Sequence, residues 1–450
     1  MTAMAVTAVM KAGTVATKDD AVAAITMAGV GTAIMVAAIK QIRGWRQGGW
    51  LLTLLLAATA QAEELGGNLE ALLRHAREHN PELHAAARAT DAAQQRVPAA
   101  GALADPVLRM EMMDVSKNGS PSLWPSQVGT TRYYVIQSLP WWGKRDNQQA
   151  VAEAQAAQSA GQTALTWSKL SARIKQAQAQ RYYGLASLAL SRQTLQQLET
   201  LNQVAQTRYA HGAGSQQEII RAQLESSNWR TEILNQENEL HHWNSRLNAL
   251  LARPLHEPLA APVGWRTLPP LPDLTQRLAQ SPVLRVAEAS VDGAGKSRDG
   301  VYLNRYPNFN LGVAPNQVGN AVRTWDLMLE FNIPLQQDSR RAQEREADSS
   351  LAAAEAARDA VRYQLQTDLA ENQSAWETAK RNVDIARNRM IPQAQFTYDA
   401  ALTAYGNGRV DFASLLEAQR QLWQAQQLAL KAQLEMQLRF ADIEALLGEE

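Results

Sequence analysis

The feature that most constrains this chain is an internal duplication. Asn80-Pro81-Glu82-Leu83 recurs as Ser281-Pro282-Val283-Leu284, and Asp105-Pro106 as Tyr306-Pro307, both 201 residues on. Ser138-Leu139-Pro140 then matches Asn332-Ile333-Pro334. Three further segments repeat at an offset of 196: Arg208-Tyr209-Ala210-His211-Gly212 with Ala404-Tyr405-Gly406-Asn407-Gly408, Arg221-Ala222-Gln223 with Glu417-Ala418-Gln419, and Leu247-Asn248-Ala249-Leu250-Leu251 with Ile443-Glu444-Ala445-Leu446-Leu447. The order is collinear. Each unit of roughly 190 residues is far longer than the 20 to 50 residues of a solenoid or propeller repeat, so each copy is half of one duplicated architecture. Residues 63–253 form the first repeat and 273–450 the second. Residues 254–272 between them hold six prolines and read as a linker without regular structure.

Each unit reads helix, strand, strand, very long helix, short turn, medium helix. In the first copy these are residues 68–98, 106–115, 131–139, 145–209 and 215–252. At 1.5 Å per residue the long helix spans about 98 Å, and the two shorter ones end to end span about 46 and about 57 Å. The near-equality predicts a hairpin in which the short helices stack alongside the long one. In the second copy Trp376, Ala379, Val383, Ala386 and Met390 alternate spacings of three and four, a coiled-coil seam. One short partner cannot cover such a helix, so the hairpins pack against each other or against other subunits.

The strands carry information about compartment. Trp325, Leu327, Leu329 and Phe331 fall on one face, with Asp326, Glu330 and Asn332 on the other. The preceding strand alternates likewise, with Phe309, Leu311 and Val313 against Asn308, Asn310 and Gly312. About ten residues with one apolar face matches an outer-membrane barrel strand, although a soluble sheet packed on helices shows the same alternation. Four strands cannot close a barrel, for which about eight is the smallest number. Either the sheet is open and covered, or several subunits contribute. Trp124, Trp141, Trp142 and Trp325, beside or within the strands, fit an interfacial belt; Trp167, Trp376 and Trp423 read as core.

Composition sharpens this picture. The chain balances 44 Lys+Arg against 44 Asp+Glu, so no global field attracts nucleic acid. Five of the basic and two of the acidic side chains lie in residues 1–62, which leaves a slightly acidic remainder. Lys40, Arg43 and Arg46, the apolar run from Trp50 to Ala58 and Ala60-Gln61-Ala62 read as a signal peptide with cleavage near Glu63. Upstream, Ala21 to Ile39 is a second, Ala- and Gly-rich apolar stretch. We read it as an upstream extension ahead of a true start at Met35 rather than an anchor. The absence of cysteine excludes disulfides, thiolate metal sites, a cysteine nucleophile and a lipidated cysteine in this chain.

The duplicated unit, Leu139-Pro140-Trp141-Trp142-Gly143-Lys144-Arg145 entering the long helix, and Arg208-Tyr209-x-x-Gly212 and Tyr405-x-x-Gly408-Arg409-Val410-Asp411-Phe412 at the hairpin turns resemble the TolC-like outer-membrane efflux proteins. The wording is most similar to the Czc-like branch that serves heavy-metal resistance. The resemblance implies a mainly α fold with a small β-barrel portion: a homotrimer whose four strands per protomer make one 12-stranded barrel in outer-membrane lipid, continued by a periplasmic α-helical barrel. It also implies a passive duct docked to a periplasmic adaptor and a proton-driven inner-membrane RND pump, with no catalysis and no cofactor.

Site roles follow residue by residue from the same resemblance. His211, Gly212, Ala213, Asn407, Gly408 and Arg409 would be the adaptor-docking tips, and glycine permits the tight reversal there. Tyr405 falls where the family places a gate tyrosine. Six and nine residues beyond the tip glycine the family often carries acidic rings; these positions are Ser414 and Glu417 in the second copy and Glu218 and Arg221 in the first. Ser414 departs from that pattern, so a single Glu417 ring with Glu218 beside it is expected, making the constriction cation-selective. Pro392 interrupts the second long helix about 20 Å before its tip and is expected to kink it as a gate hinge. The seven His are scattered. His241 and His242 point to different faces, His75 and His79 lack further donors, and Met110 and Met112 merely share a strand face, so no metal site is expected. Other readings are a duct for drugs or secreted protein, or a periplasmic adaptor or coiled-coil scaffold, which would need no duplicated strands.

Overall fold

The computed structural model describes residues 65–116, 119–271 and 273–448. The expected leader and the upstream apolar stretch lie outside the described residues. The first copy contains α1 (Leu69–His79), α2 (Pro81–Ala100), β1 (Val107–Met113), β2 (Thr130–Leu139), α3 (Lys144–Ala210) and α4 (Gln216–Leu250). After the linker and a short helix α5 (Leu274–Leu278) come α6 (Pro282–Leu303), β3 (Phe309–Val318), β4 (Ala321–Phe331), α7 (Gln337–Ile385), a π-helical turn (Ala386–Met390), α8 (Ile391–Gly406) and α9 (Phe412–Leu447).

The single helix expected over 68–98 is two helices. Pro81 forces the residue before it out of the helical region, and Asn80 takes ψ 122°. The break is used: the Asn80 side chain accepts from the amides of Glu82 and Leu83, capping α2, while Pro81 occupies the first turn, where its missing N–H costs nothing. The Asn80 amide also donates to the Leu250 carbonyl at 2.8 Å. At the repeat-related position Ser281 donates to the Leu446 carbonyl at 2.5 Å. Both residues are buried. Each copy therefore ties the start of its short helix to the end of its last one with the same side-chain-to-carbonyl bond.

The α3 helix runs unbroken for 67 residues, about 100 Å. Its counterpart is interrupted. Pro392 has no N–H to give and its ring crowds the carbonyl one turn back; the backbone accommodates it by widening into the π turn immediately before α8. Of the coiled-coil seam, Ala379, Val383 and Ala386 are buried. Two matching cores form at the far ends of the hairpins: Leu72, Leu170, Ile174, Leu247 and Leu251 in the first copy, and Leu284, Leu365, Leu369, Ile443 and Leu447 in the second. A third core at the turns draws on both copies, with Leu198, Leu201, Ala205, Ala222 and Trp229 packed against Tyr398, Tyr405, Phe412, Leu415 and Leu422.

The linker has no regular structure and is held by buried polar groups. Arg181 donates to the carbonyls of Leu259 and Ala260 at 2.9 and 2.7 Å, and Asn248 to those of Leu255 and Glu257. Glu444 receives both Arg266 of the linker and Lys175 of α3, at 2.6 and 2.9 Å.

The four strands form one antiparallel sheet in the order β1-β2-β3-β4, with the β2–β3 pairing joining the two copies. Paired residues share a face, so the register aligns whole rows. Leu108, Val135, Val313 and Leu327 form one row across all four strands; Leu311 with Leu329 and Phe309 with Phe331 extend that face. The opposite face is polar: Arg132 lies 3.2 Å from Asp326 and 3.9 Å from Glu111, and Asn316 donates to Asp326 at 2.6 Å. The outer edges of β1 and β4 have no strand partner among the described residues.

Candidate channel tip and membrane face

The two hairpin turns have the same backbone. In the first, Gly212 adopts φ 73°, the Ala213 amide bonds the Arg208 carbonyl at 2.8 Å and the Gly212 amide bonds that of Tyr209 at 2.9 Å. In the second, Gly408 adopts φ 69°, with Arg409 on Ala404 at 2.9 Å and Gly408 on Tyr405 at 3.0 Å. This paired closure, with glycine in the left-handed region, is the Schellman ending of a helix, and a side chain at the glycine would strain it. His211, Gly212 and Ala213 thus lie at one turn and Asn407, Gly408 and Arg409 at the other.

Side chains join the turns. The Tyr405 hydroxyl donates to Glu218 Oε2 at 2.8 Å, and its ring packs on Phe412 with centroids 5.4 Å apart. Burial, with the Glu218 carboxylate accepting from the hydroxyl, pushes the phenol up to about 12. Arg208 donates to the carbonyls of Tyr405 (2.8 Å), Gly406 (3.2 Å) and Ala213 (3.1 Å), and its guanidinium stands 4.7 Å over the Tyr405 ring. The last carbonyls of α8 are thereby met by a cation from the other turn, the favourable sign at a helix C-terminus.

Sequence reasoning singled out Tyr405 and Glu218, and the structure brings them together. Glu417 does not join them: it is exposed, accepts from Gln421 at 3.2 Å and lies 3.9 Å from Arg420. Ser414 is capped instead: its amide and hydroxyl donate at 2.9 and 2.5 Å to Oδ1 of Asp411, the N-cap residue of α9. These two bonds hold the Asp411 carboxyl below its usual range. Arg208 is the residue that sequence reasoning missed. It was visible as the first residue of the repeated turn motif, but Ala404 stands at the matching place, so nothing in the repeat marked it as a contact.

At the other end, Trp124, Trp142 and Trp325 are strongly exposed, as are Leu311, Val313, Leu327, Leu329 and Phe331. No described helix is long and apolar enough to cross a membrane. Among the described residues no three His, Asp or Glu side chains cluster as a metal site. His79 Nδ1 instead contacts the His75 carbonyl at 3.0 Å, and His241 stacks on His256 rather than turning with His242.

With this geometry in hand, the model of the outer membrane efflux protein family matches residues 72–253 and 274–449. The chain belongs to the outer membrane efflux protein family. It is an outer-membrane protein that extends into the periplasm, in a family of efflux channels rather than enzymes. The fold of this efflux protein is similar to that of CusC (TM-score 0.74, 16% identity, covering 85% of this chain and 92% of that one), described in the context of transmembrane channel formation. It is also similar to the outer membrane protein VceC of Vibrio cholerae (0.73, 17%, 84% and 96%) and to the open MtrE outer membrane channel of Neisseria gonorrhoeae (0.71, 18%, 84% and 88%). Among curated proteins none matches this efflux protein by sequence.

Proposed function

We propose that this efflux protein is the passive outer-membrane exit duct of a tripartite system, assembled as a homotrimer and serving a proton-driven RND pump through a periplasmic adaptor. The supporting observation is the sheet: four strands, apolar on one face and polar on the other, without a partner at either outer edge among the described residues, with β2 leading into the α3 helix of about 100 Å. Exposed strand edges of this kind invite pairing with further strands. Three copies supply 12 strands, and closure places the Arg132–Asp326 face toward the lumen and the Leu327–Leu329 face toward lipid. The two repeats, 63–253 and 273–450, then form the wall on either side of the 254–272 linker.

The cargo we assign is heavy-metal cations, a reading that rests on the Gly408-Arg409-Val410-Asp411-Phe412 wording and the slightly acidic mature chain. The docking tips are the two Schellman turns. The gate is Tyr405 with Glu218, and Glu417 and Ser414 stand beyond that contact. The hinge is the π turn with Pro392. Outer-membrane fractionation, unheated gel electrophoresis and planar-bilayer conductance test the duct. The expected result is a heat-dissociable trimer with discrete conductance steps; a periplasmic, monomeric, non-conducting product overturns it. Deleting the gene is expected to sensitise cells to divalent metal salts more than to drugs or detergents, and the reverse order overturns the cargo. Pro392→Ala, which lets a regular helix form, is expected to lower the open fraction in bilayers; unchanged conductance and resistance overturn the hinge.

A further inference from the structure

Where β2 passes into α3, the chain builds a pocket that the duct itself does not require. Its volume is about 520 Å³, within the range of roughly 300–1,000 Å³ typical of small-ligand sites. Leu139, Phe309, Leu311 and Leu329 floor it and Trp142 walls it, so it is continuous with the apolar face of the sheet. The wall is preformed. Trp141 stacks on Tyr306 and Phe309 with centroids 5.1 and 5.6 Å away, and holds Trp142 edge-on at 5.0 Å, leaving Trp142 75% exposed. The pocket lies over the faces of β2, β3 and β4 rather than along the outer edge of the sheet.

Two opposite charges, Arg145 and Asp146, line the same pocket, and neither makes an ion pair among the described residues. The neighbouring cation is spoken for: Lys144 Nζ donates to the Tyr306 carbonyl and to Asn308 Oδ1, each at 2.9 Å. An apolar slot with one free guanidinium and one free carboxylate beside it matches an acyl chain carrying a zwitterionic headgroup. The phosphodiester suits Arg145, whose fork binds phosphate oxygens in pairs. The carboxylate suits a primary ammonium, which can donate hydrogen bonds, better than a quaternary one, which cannot. Because α3 leads into the periplasm, the junction lies at the periplasmic leaflet, which is built of glycerophospholipid.

We infer that each protomer holds one phosphatidylethanolamine-type glycerophospholipid at this junction, its chain against Leu139, Phe309, Leu311, Leu329 and Trp142 and its headgroup between Arg145 and Asp146. The inference rests on the lipid-facing reading of the sheet given above.

The test is native mass spectrometry of the full-length protein in mild detergent, titrated with phosphatidylethanolamine, phosphatidylglycerol or phosphatidylcholine. The expected result is one tightly retained phosphatidylethanolamine per protomer, with the other two held about tenfold less, a difference of one charge-assisted contact. Arg145→Ala and Asp146→Ala are each expected to lower retention about tenfold, with partial recovery in Arg145→Lys, and Trp142→Ala to lower it for all three lipids. A heat-dissociable oligomer band in each variant shows that it is assembled. Equal retention of the three lipids, or retention unchanged in the Arg145→Ala/Asp146→Ala double variant, means annular binding only and overturns the site. Bilayer conductance of the same preparations separates the two ideas: conducting channels without lipid selectivity refute the lipid site alone, whereas absence from the outer-membrane fraction and absence of conductance refute the duct and with it the site.

Discussion

The two hairpin turns share a backbone and divide the chemistry. Tyr209 and Tyr405 occupy matching positions, yet Tyr209 is 49% exposed and Tyr405 only 2%. Arg208 faces the helix end whose matching residue is Ala404, and Glu218, which receives the Tyr405 hydroxyl, corresponds to Ser414, which closes on Asp411. Asp411 in turn matches Ser215, whose side chain makes no capping bond. The first turn carries the two charges that reach across, and the second carries the buried phenol that donates to Glu218 and the carbonyls that accept from Arg208. The join across the turns uses a cation and a carboxylate from one copy and a phenol and backbone carbonyls from the other. The asymmetry between the copies sets donors on one turn opposite acceptors on the other, and the gate proposed above requires that this contact break.

The same asymmetry is largest at the far end, where Asn248 and Glu444 are repeat-related and each clasps the linker. Asn248 does so with a neutral amide; Glu444 does so with a charge shared between Lys175, 3% exposed, and Arg266. Glu444→Gln removes the carboxylate from two partly or wholly buried cations and is expected to cost about 3 kcal/mol or more. Asn248→Ala, which removes a buried amide and leaves the carbonyls of Leu255 and Glu257 without this donor, is expected to cost about 2 kcal/mol. Thermal unfolding followed by circular dichroism measures both. Equal losses would erase the difference between the copies at this position.

At the turns the effects are smaller and local. Tyr405→Phe removes one hydrogen bond to a carboxylate, about 1–2 kcal/mol, and is expected to raise both channel opening in bilayers and deuterium uptake over residues 404–409. Tyr209→Phe, at an exposed site, is expected to change stability by less than about 0.5 kcal/mol and opening not at all. If both variants open the channel equally, the turns are not divided as described. Asp411→Ala is expected to fray the start of α9 at a cost of about 1 kcal/mol, against a few tenths for Ser215→Ala, and hydrogen exchange of the first turn of each helix compares them.

Much of this was legible in the residues, because the duplication supplied two readings of every element. The long helix, the strands, the alternation of Leu327, Leu329 and Phe331 and the irregular linker follow from periodicity and from proline, which act over a few residues. What was not legible depends on contacts between segments about 200 residues apart. Asn80 looked like part of a helix until its bond to Leu250 gave the break a purpose. Pro392 announced a disturbance but not its form, since a kink and a widened π turn satisfy the same missing N–H. Spacing from the tip glycine favoured Glu417, with Glu218 beside it, and only the placement of Tyr405 beside Glu218 gives the first-copy carboxylate the contact. Arg208 lay in a motif without a role because its acceptors are backbone carbonyls, which carry no sequence signature.

A last comparison separates two neighbouring carboxylates of α9 by sign. Burial alone would raise Glu444, yet the hydrogen bonds and charges of Arg266 and Lys175 hold it below its usual range. Its contribution to stability is therefore complete above the unfolded value and is lost as the pH falls through the folded one. Asp442, two residues earlier, is raised by burial, and the Gln176 bond at 2.6 Å and the charge of Arg439 only partly offset this. The fold thus favours its neutral form, and Asp442 contributes most at acid pH and less as the pH rises through its folded value. Asp442→Asn is expected to be relatively more stable than the parent at neutral pH and to lose that advantage on acidification, while Glu444→Gln loses its disadvantage over the same range. Melting temperatures of the three proteins between about pH 3 and pH 7 decide it. Parallel curves would mean that the two side chains share one environment, and that the charge clasp on the linker is no more ionic in the second copy than in the first.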